Sequence, residues 1–331
     1  MKNFIILVCF GLLSSCSTTK RNYKTERITD KTKTQEALNI AIAKGGFEIK
    51  NVLRLIVMRG EQEMGKEYLL KKLSSLDEKQ PFYEKSNTLE LLQSFRVEPK
   101  EAIMLFEKLK ASLSLKQREL AWGIATAFPS AELAVHIEKH LSEAIMVDDL
   151  ERELLPSMAD ALAENQLTSS YSIVKQGLFL RNDIGFAQAM MRLSPKKAEK
   201  DFLEYLGSIP TEELRQLNLE SSNIFLCLEL LNFLATRSLS PTNRYFENLF
   251  YFATSRNQSL SEVAMQVIEN TSIQYRDHVA QMLAGTPNWL QLAYIEKIRN
   301  NMTVQAKLLL KQLHTLSSKT HVQSEIDDVL R

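Results

Sequence analysis

From about Thr34 to the end of the chain, apolar residues recur at intervals of three and four, with no sustained alternation of two. That spacing predicts helices and no sheet. The helical stretches are cut where glycine or proline ends one helix or begins the next. Such breaks fall at Gly45-Gly46, Arg59-Gly60, Gln80-Pro81, Glu98-Pro99, Phe128-Pro129-Ser130, Ser194-Pro195, Ile209-Pro210, Ser240-Pro241 and Thr286-Pro287. They leave helices of roughly 10 to 18 residues, the common length for packed helices. Only ten glycines occur in 331 residues, which agrees with a chain that is nearly all helix.

Laid against one another, these segments repeat. Ala121-Trp122-Gly123-Ile124-Ala125-Thr126-Ala127-Phe128-Pro129 has the same shape as Ala187-Gln188-Ala189-Met190-Met191-Arg192-Leu193-Ser194-Pro195. Each has a small residue, an apolar helical run, a turn and a second amphipathic helix. Further copies start at Ala159, with a turn at Leu167-Thr168-Ser169-Ser170, at Ala264, with a turn at Asn270-Thr271-Ser272, and at Ala293, with Asn300-Asn301. Looser copies start at Leu53, Leu89 and Cys227. From starting residue to closing leucine the copies run 19 to 22 residues, so one connection is predicted to be constant and the other variable.

A helical hairpin cannot bury its apolar face alone, and a small residue lets a neighbouring helix approach, so copies of this kind must stack. The pattern resembles HEAT-like repeats over most of residues 48 to 315. The implied fold is an all-α solenoid. The mean step of about 34 residues also suits tetratricopeptide repeats, whose Trp, Gly-Tyr and Pro pattern is missing here. An irregular helical bundle is the remaining reading.

The start of the chain has a different character. Lys2 precedes ten apolar or small residues, Phe4 to Leu13, and then Ser14, Ser15 and Cys16. Charge, short apolar run and small residues in that order read as a secretory signal. Leu13-Ser14-Ser15-Cys16 resembles the lipobox of bacterial lipoproteins. That resemblance implies cleavage before Cys16 and acylation of its thiol and amine. Ser17 in place of Asp favours an outer membrane, on its periplasmic side. The apolar run is too short to span a bilayer. The expected organisation is a signal at 1–15, a lipidated cysteine and basic disordered tether at 16–34, a repeat domain at 35–316 and a tail or capping helix at 317–331.

Charge supports the division. The whole chain is close to neutral at +1, but residues 17–33 carry +4 and residues 34–331 carry −4. A basic tether beside anionic headgroups gains up to about 1 kcal/mol per Lys or Arg; a plain solvated spacer fits as well. The mildly acidic body lacks a basic stripe, so nucleic acid is not an expected partner. With Cys9 in the signal and Cys16 acylated, Cys227 is left without a disulfide partner and reads as a small core residue.

Candidate chemistry is sparse. His136-Ile137-Glu138-Lys139-His140 has the histidine spacing of zinc proteases but the glutamate stands at the wrong position, so no metal is expected there. Asp148-Asp149-Leu150-Glu151-Arg152-Glu153 precedes Pro156 and reads as an acidic helix start. Tyr245-Phe246-Glu247-Asn248-Leu249-Phe250-Tyr251-Phe252 gathers five aromatics on one helix, more than one face can bury. Tyr245, Phe246, Phe250 and Tyr251 are therefore the candidate partner-binding residues. No nucleophile triad, phosphate loop or dinucleotide fingerprint can be placed, and no cofactor is expected. The reading that follows is a non-enzymatic envelope lipoprotein that binds another envelope protein along its repeat surface. The alternative is an envelope enzyme or cell-wall-binding protein with a site assembled from distant residues.

Overall fold

A computed structural model of the chain describes residues 31–75, 81–112, 114–146, 152–216, 221–237, 239–241 and 243–331. Among these residues there are 18 α-helices, two 3-10 turns and no strand. The first four helices are α1 (Lys31–Lys44), α2 (Phe47–Arg59), α3 (Gln62–Ser74) and α4 (Phe82–Leu92). Then come α5 (Pro99–Lys110), α6 (Leu115–Ala127), α7 (Ala131–Met146), α8 (Leu155–Glu164), α9 (Tyr171–Arg181) and α10 (Ile184–Leu193). The chain ends with α11 (Pro195–Ser208), α12 (Thr211–Gln216), α13 (Ser221–Ala235), α14 (Asn243–Ala253), α15 (Gln258–Gly285), α16 (Asn288–Asn300), α17 (Val304–Leu316) and α18 (Thr320–Leu330).

The helices form two rows. In the first, α1 packs on α4, α4 on α6, α6 on α8, α8 on α10, α10 on α13, α13 on α15 and α15 on α17. In the second, α3 packs on α5, α5 on α7, α7 on α9, α11 on α14, α14 on α16 and α16 on α18. From α3 onward the chain alternates between rows, with α12 as an added short helix. The fold is an all-α solenoid.

Local chemistry sets the helix ends. Gly45 and Gly46, both at positive φ, turn the chain from α1 into α2, a conformation in which a Cβ is strained. At α5, Pro99 stands in the first turn, and the Glu98 N–H donates to Glu101 Oε2 at 2.9 Å in a capping box. Asp183, Asn257 and Thr303 accept from the first turns of α10, α15 and α17 at 2.7, 3.1 and 3.0 Å.

Two kinds of bond tie successive repeats together. One is a side-chain donor that reaches an unpaired carbonyl at the end of the preceding repeat's helix. Asn87 Nδ2 donates to the Ile42 carbonyl, Asn248 to Leu206 and Asn270 to Ala235, all at 2.8 Å, and Asn165 to Ala125 at 3.0 Å. Helix C-termini leave such carbonyls open, and these amides close them across the stack. Asn165 also accepts from the Ser130 N–H at 2.6 Å, so one buried side chain fixes the α6–α7 turn as well. The other kind is a polar bridge in the second row. Lys175 Nζ lies 2.8 Å from both Asp201 and Glu204, and Tyr171 donates to Asp201 at 2.8 Å. Burial lowers the Lys175 pKa, but its hydrogen bonds to the two carboxylates, with their charge, outweigh it and leave the pKa raised. Together with the edge-to-face rings of Phe179 and Tyr205, 5.4 Å apart, this bridge joins α9 to α11.

The repeat register is corrected in three places. Residues 258–285 form one helix bent at Tyr275, not a hairpin turning at Asn270-Thr271-Ser272. The hydroxyls of Thr271 and Ser272 bond back to Val267 and Glu269 inside the helix, the backbone leaves helical geometry at Tyr275, three residues beyond the expected turn, and the helix ends at Thr286-Pro287. The following copy is thereby displaced: Ala293 sits on the second-row helix α16, and Leu53 sits on the crossover α2. Leu89, Ala121, Ala159, Ala187, Cys227 and Ala264 do occupy the first row, and all but Leu89 are fully buried.

The start of the stack also differs from expectation, while its other end keeps the expected capping helix. Helix α1 begins at Lys31 rather than after residue 34, and Thr34 is buried with its hydroxyl donating to the Glu61 carboxylate. At the other end, α18 packs on α16 and α17 through Val322 and Ile326. Cys16 and the preceding apolar run lie outside the described residues. No helix among the described residues is long and apolar enough to cross a membrane.

Candidate functional groove

Four consecutive first-row helices, α4, α6, α8 and α10, leave a groove of about 630 Å³ along their outer surface, within the range of ligand sites. Its floor is made of small residues that draw helices together. A Cβ on Gly123 would meet Leu89 at 3.1 Å, and one on Gly185 would meet the Pro156 side chain at 2.7 Å. Larger floor residues would part α4 from α6 and α8 from α10. Leu89, Leu120 and Trp122 give the groove an apolar portion, and Ser86, Gln93 and Gln188 give it polar edges.

Three rim groups have partners within the protein, and the exposed Lys116 and Glu119 add one charge of each sign. Asp160 is engaged by Arg192, which also reaches Glu164 at 2.5 Å. Gln188 Nε2 lies 3.4 Å from Glu229, and the Thr126 hydroxyl donates to the Trp122 carbonyl at 3.0 Å.

Lys85 is different. It is 1 % exposed, lines the groove, and its Nζ has no hydrogen-bond partner. Trp122, also 1 % exposed, packs edge-on to Phe106 at 5.0 Å and against His140 at 5.5 Å, and its indole N–H is likewise unmatched. A buried polar group without a partner costs about 1–3 kcal/mol, and more when charged. Two such donors on the walls of one groove are an arrangement that an acceptor from outside would complete.

The aromatic cluster on α14 is not an exposed surface. Phe246, Phe250 and Tyr251 are buried. Phe250 lies 5.9 Å from Phe246 and 5.5 Å from Tyr294, edge-on to both, and Tyr251 lies 5.7 Å from Trp289. Positions 246 and 250 fall one turn apart on the core side of α14, and α16 covers them, which removes these three rings from partner binding. The side chain of Tyr245 lies outside what is described.

Of the histidine pair, His136 bonds Glu107 through Nδ1 at 2.8 Å while His140 faces Trp122, so the two do not converge. Among the described residues no group of three or more His, Cys, Asp or Glu gathers as a metal site. Residues 147–151, with most of the acidic stretch, lie outside the described residues. Cys227 is buried in α13, and burial pushes its thiol up to about 12, so it is a protonated core residue.

The sequence reading passed over Lys85. It stands four residues before Leu89 and seven before Leu92, on what is otherwise the apolar stripe of α4. A lysine on an apolar stripe was the available signal.

No protein-family model and no curated protein matches the chain. Among solved structures, a crystal structure described as an engineered protein is similar at 15% identity, covering 92% of this chain and 84% of the other, with a TM-score of 0.38. A second engineered protein is similar at 15% identity, covering 90% of this chain and 95% of the other, with a TM-score of 0.22. Likeness at that level adds nothing to the fold drawn from the helix packing itself.

Proposed function

We propose that the protein is a non-enzymatic scaffold, lipid-anchored in a bacterial cell envelope through Cys16, that binds another envelope protein along its first row of helices. The observation that carries the binding half is the groove across α4, α6, α8 and α10, which is open and extended over four repeats rather than enclosed. Extended surfaces are what stacked helical hairpins offer most readily to a partner chain. The anchoring half is supported by the lipobox-like Leu13-Ser14-Ser15-Cys16 and the basic residues after it. Several acyl chains on one cysteine hold a protein at a membrane where a single chain binds only marginally. Confinement to that surface raises the effective concentration toward partners held there. The outer membrane, on its periplasmic side, is the favoured location.

Crosslinking in intact envelopes followed by affinity purification tests the binding half. Recovery of a specific protein, reduced by substitutions along the groove, is the expected result. Recovery of no protein, with the purified body instead retaining or turning over cell-wall fragments, defeats it. Labelling with a palmitate analogue tests the anchor, which fails if Cys16→Ala remains labelled and membrane-bound.

A further inference from the structure

We infer that the groove reads a carboxylate on a peptide segment of the partner, and that Lys85 is the group that recognises it. This inference rests on the reading of the repeat array as a protein-binding scaffold, and adds to it the chemistry of what is bound. Lys85 places a three-proton donor inside the wall of α4 with no acceptor from the described residues. An ammonium group is kept buried at a cavity when a ligand supplies the missing anionic oxygen, because a charge-assisted hydrogen bond is stronger than one between neutral groups. Trp122 supplies a second unmatched donor on the same groove.

The donor set favours a carboxylate over a phosphate. Lys85 is the buried ammonium of the groove, the exposed Lys116 and Glu119 offset one another on its rim, and no arginine lines it to satisfy the oxygens of a dianion. The rest of the lining suits a peptide. Ser86 on α4, Gln93 at its end and Gln188 on α10 are set at the two ends of the groove for an extended backbone to bond, and Leu89 and Leu120 offer apolar area to a side chain. The carboxylate is either a chain terminus or an Asp or Glu side chain, which share this chemistry.

The test uses the full-length protein in detergent with random nonapeptide arrays, one set with free C-termini and one amidated. Selected peptides are then titrated by Trp122 fluorescence in a Trp289→Phe background. Removing the carboxylate, by amidation for a terminus or Glu→Gln and Asp→Asn for a side chain, is expected to weaken binding at least tenfold. Lys85→Met is expected to do the same while melting no lower than the parent, since it replaces an unpaired buried donor with an apolar chain of similar length. Should Lys85→Met fail to fold, Ser86→Tyr, which fills the groove mouth from an exposed position, must abolish binding in its place.

The inference is overturned if no peptide is selected, if the selected peptides bind equally well without a carboxylate, or if inorganic phosphate displaces them. Binding that survives Lys85→Met overturns it too. Peptides that bind the groove without regard to charge would leave the scaffold standing and remove only the role of Lys85. Failure to recover any protein from crosslinked envelopes would instead remove the scaffold.

Discussion

The middle of the first row and the C-terminal third of the molecule solve the same packing problem with opposite materials. In α6, α8 and α10 alanine recurs on the buried faces beside larger residues such as Trp122, Met158 and Phe186: Ala121 and Ala125, then Ala159, Ala161 and Ala163, then Ala187 and Ala189. Small side chains let these backbones lie close, and α8 and α10 approach more closely than most pairs in the protein. In α13, α14 and α16 the buried faces are Leu226, Leu230, Leu231 and Leu234, then Phe246, Leu249, Phe250 and Phe252, then Leu290, Tyr294 and Ile295. There, side-chain volume rather than backbone proximity fills the interior. The first solution leaves a groove between closely set helices, and the second leaves rings interlocked across α14 and α16. The groove therefore belongs to the alanine region, and the aromatic region contributes stability.

If that contrast is right, the two regions should fail in opposite directions. Truncation should be worst in the aromatic region. Phe250→Ala removes the ring that touches both Phe246 and Tyr294 and is expected to cost about 3–5 kcal/mol. Because each repeat touches mainly its neighbours, hydrogen exchange should speed up in α14 and α16 and much less in α4 to α8. A uniform loss of protection, or a loss below about 1 kcal/mol, would break the comparison.

Enlargement should be worst in the alanine region. Ala187→Leu forces a longer side chain into the close contact of α8 with α10 and is expected to cost about 1–3 kcal/mol. It should also displace Gln188 and Gly185 and so alter the groove. If urea denaturation shows this variant as stable as the parent, the alanine row is not closely packed.

How much of this was legible in the sequence follows from the same contrast. Alanine repeated at helical spacing is a local signal, and it placed Ala121, Ala159 and Ala187 correctly. Thr271 and Ser272 resemble a turn in sequence, yet inside α15 their hydroxyls bond to helix carbonyls, and the helix is interrupted only at Tyr275, where it kinks instead of reversing. The five aromatics on α14 read as too many for one face because a sequence does not show α16 arriving to cover them. Lys85 is an ordinary lysine until α4, α6 and α8 are assembled around it. The amides that close the stack were missed for a similar reason: Asn165 and Ala125 are 40 residues apart, and only the superposition of repeats makes them neighbours.

Asn165 sharpens the comparison at the next scale down. It is the buried amide that joins the Ala125 and Ala161 carbonyls and the Ser130 N–H, all in the alanine region. Asn165→Ala leaves the Ala125 carbonyl and the Ser130 N–H unmatched, while Ala161 keeps the backbone N–H of residue 165, and is expected to cost about 1–3 kcal/mol. Asn87→Ala, on a partly buried residue whose amide reaches a single carbonyl, should cost less. Thermal melts in which Asn87→Ala proved the more damaging would refute the assignment of Asn165 as the principal tie between α6, α7 and α8.

The smallest effect belongs to the second row, at Glu107 on α5. Burial alone would raise its pKa, but hydrogen bonds and charge from Lys110 and His136 more than offset that and hold the carboxyl below its ordinary 4.5. A carboxyl whose pKa is depressed in the folded protein stabilises it above the unfolded pKa, and the stabilisation disappears as pH falls through the folded value. Glu107→Gln is therefore expected to lower stability at pH 7 and to make no difference well below the folded pKa. The group is 38% exposed and solvent screens the pair, so the loss at pH 7 should be only about 0.2–0.5 kcal/mol, smaller still in high salt. Melting temperatures of parent and variant measured from pH 7 down to pH 3 should converge on the acid side. A variant that melts at or above the parent at pH 7 would mean that the carboxylate does not stabilise the folded protein, and that the bridge from α5 to α7 contributes nothing to holding the second row together.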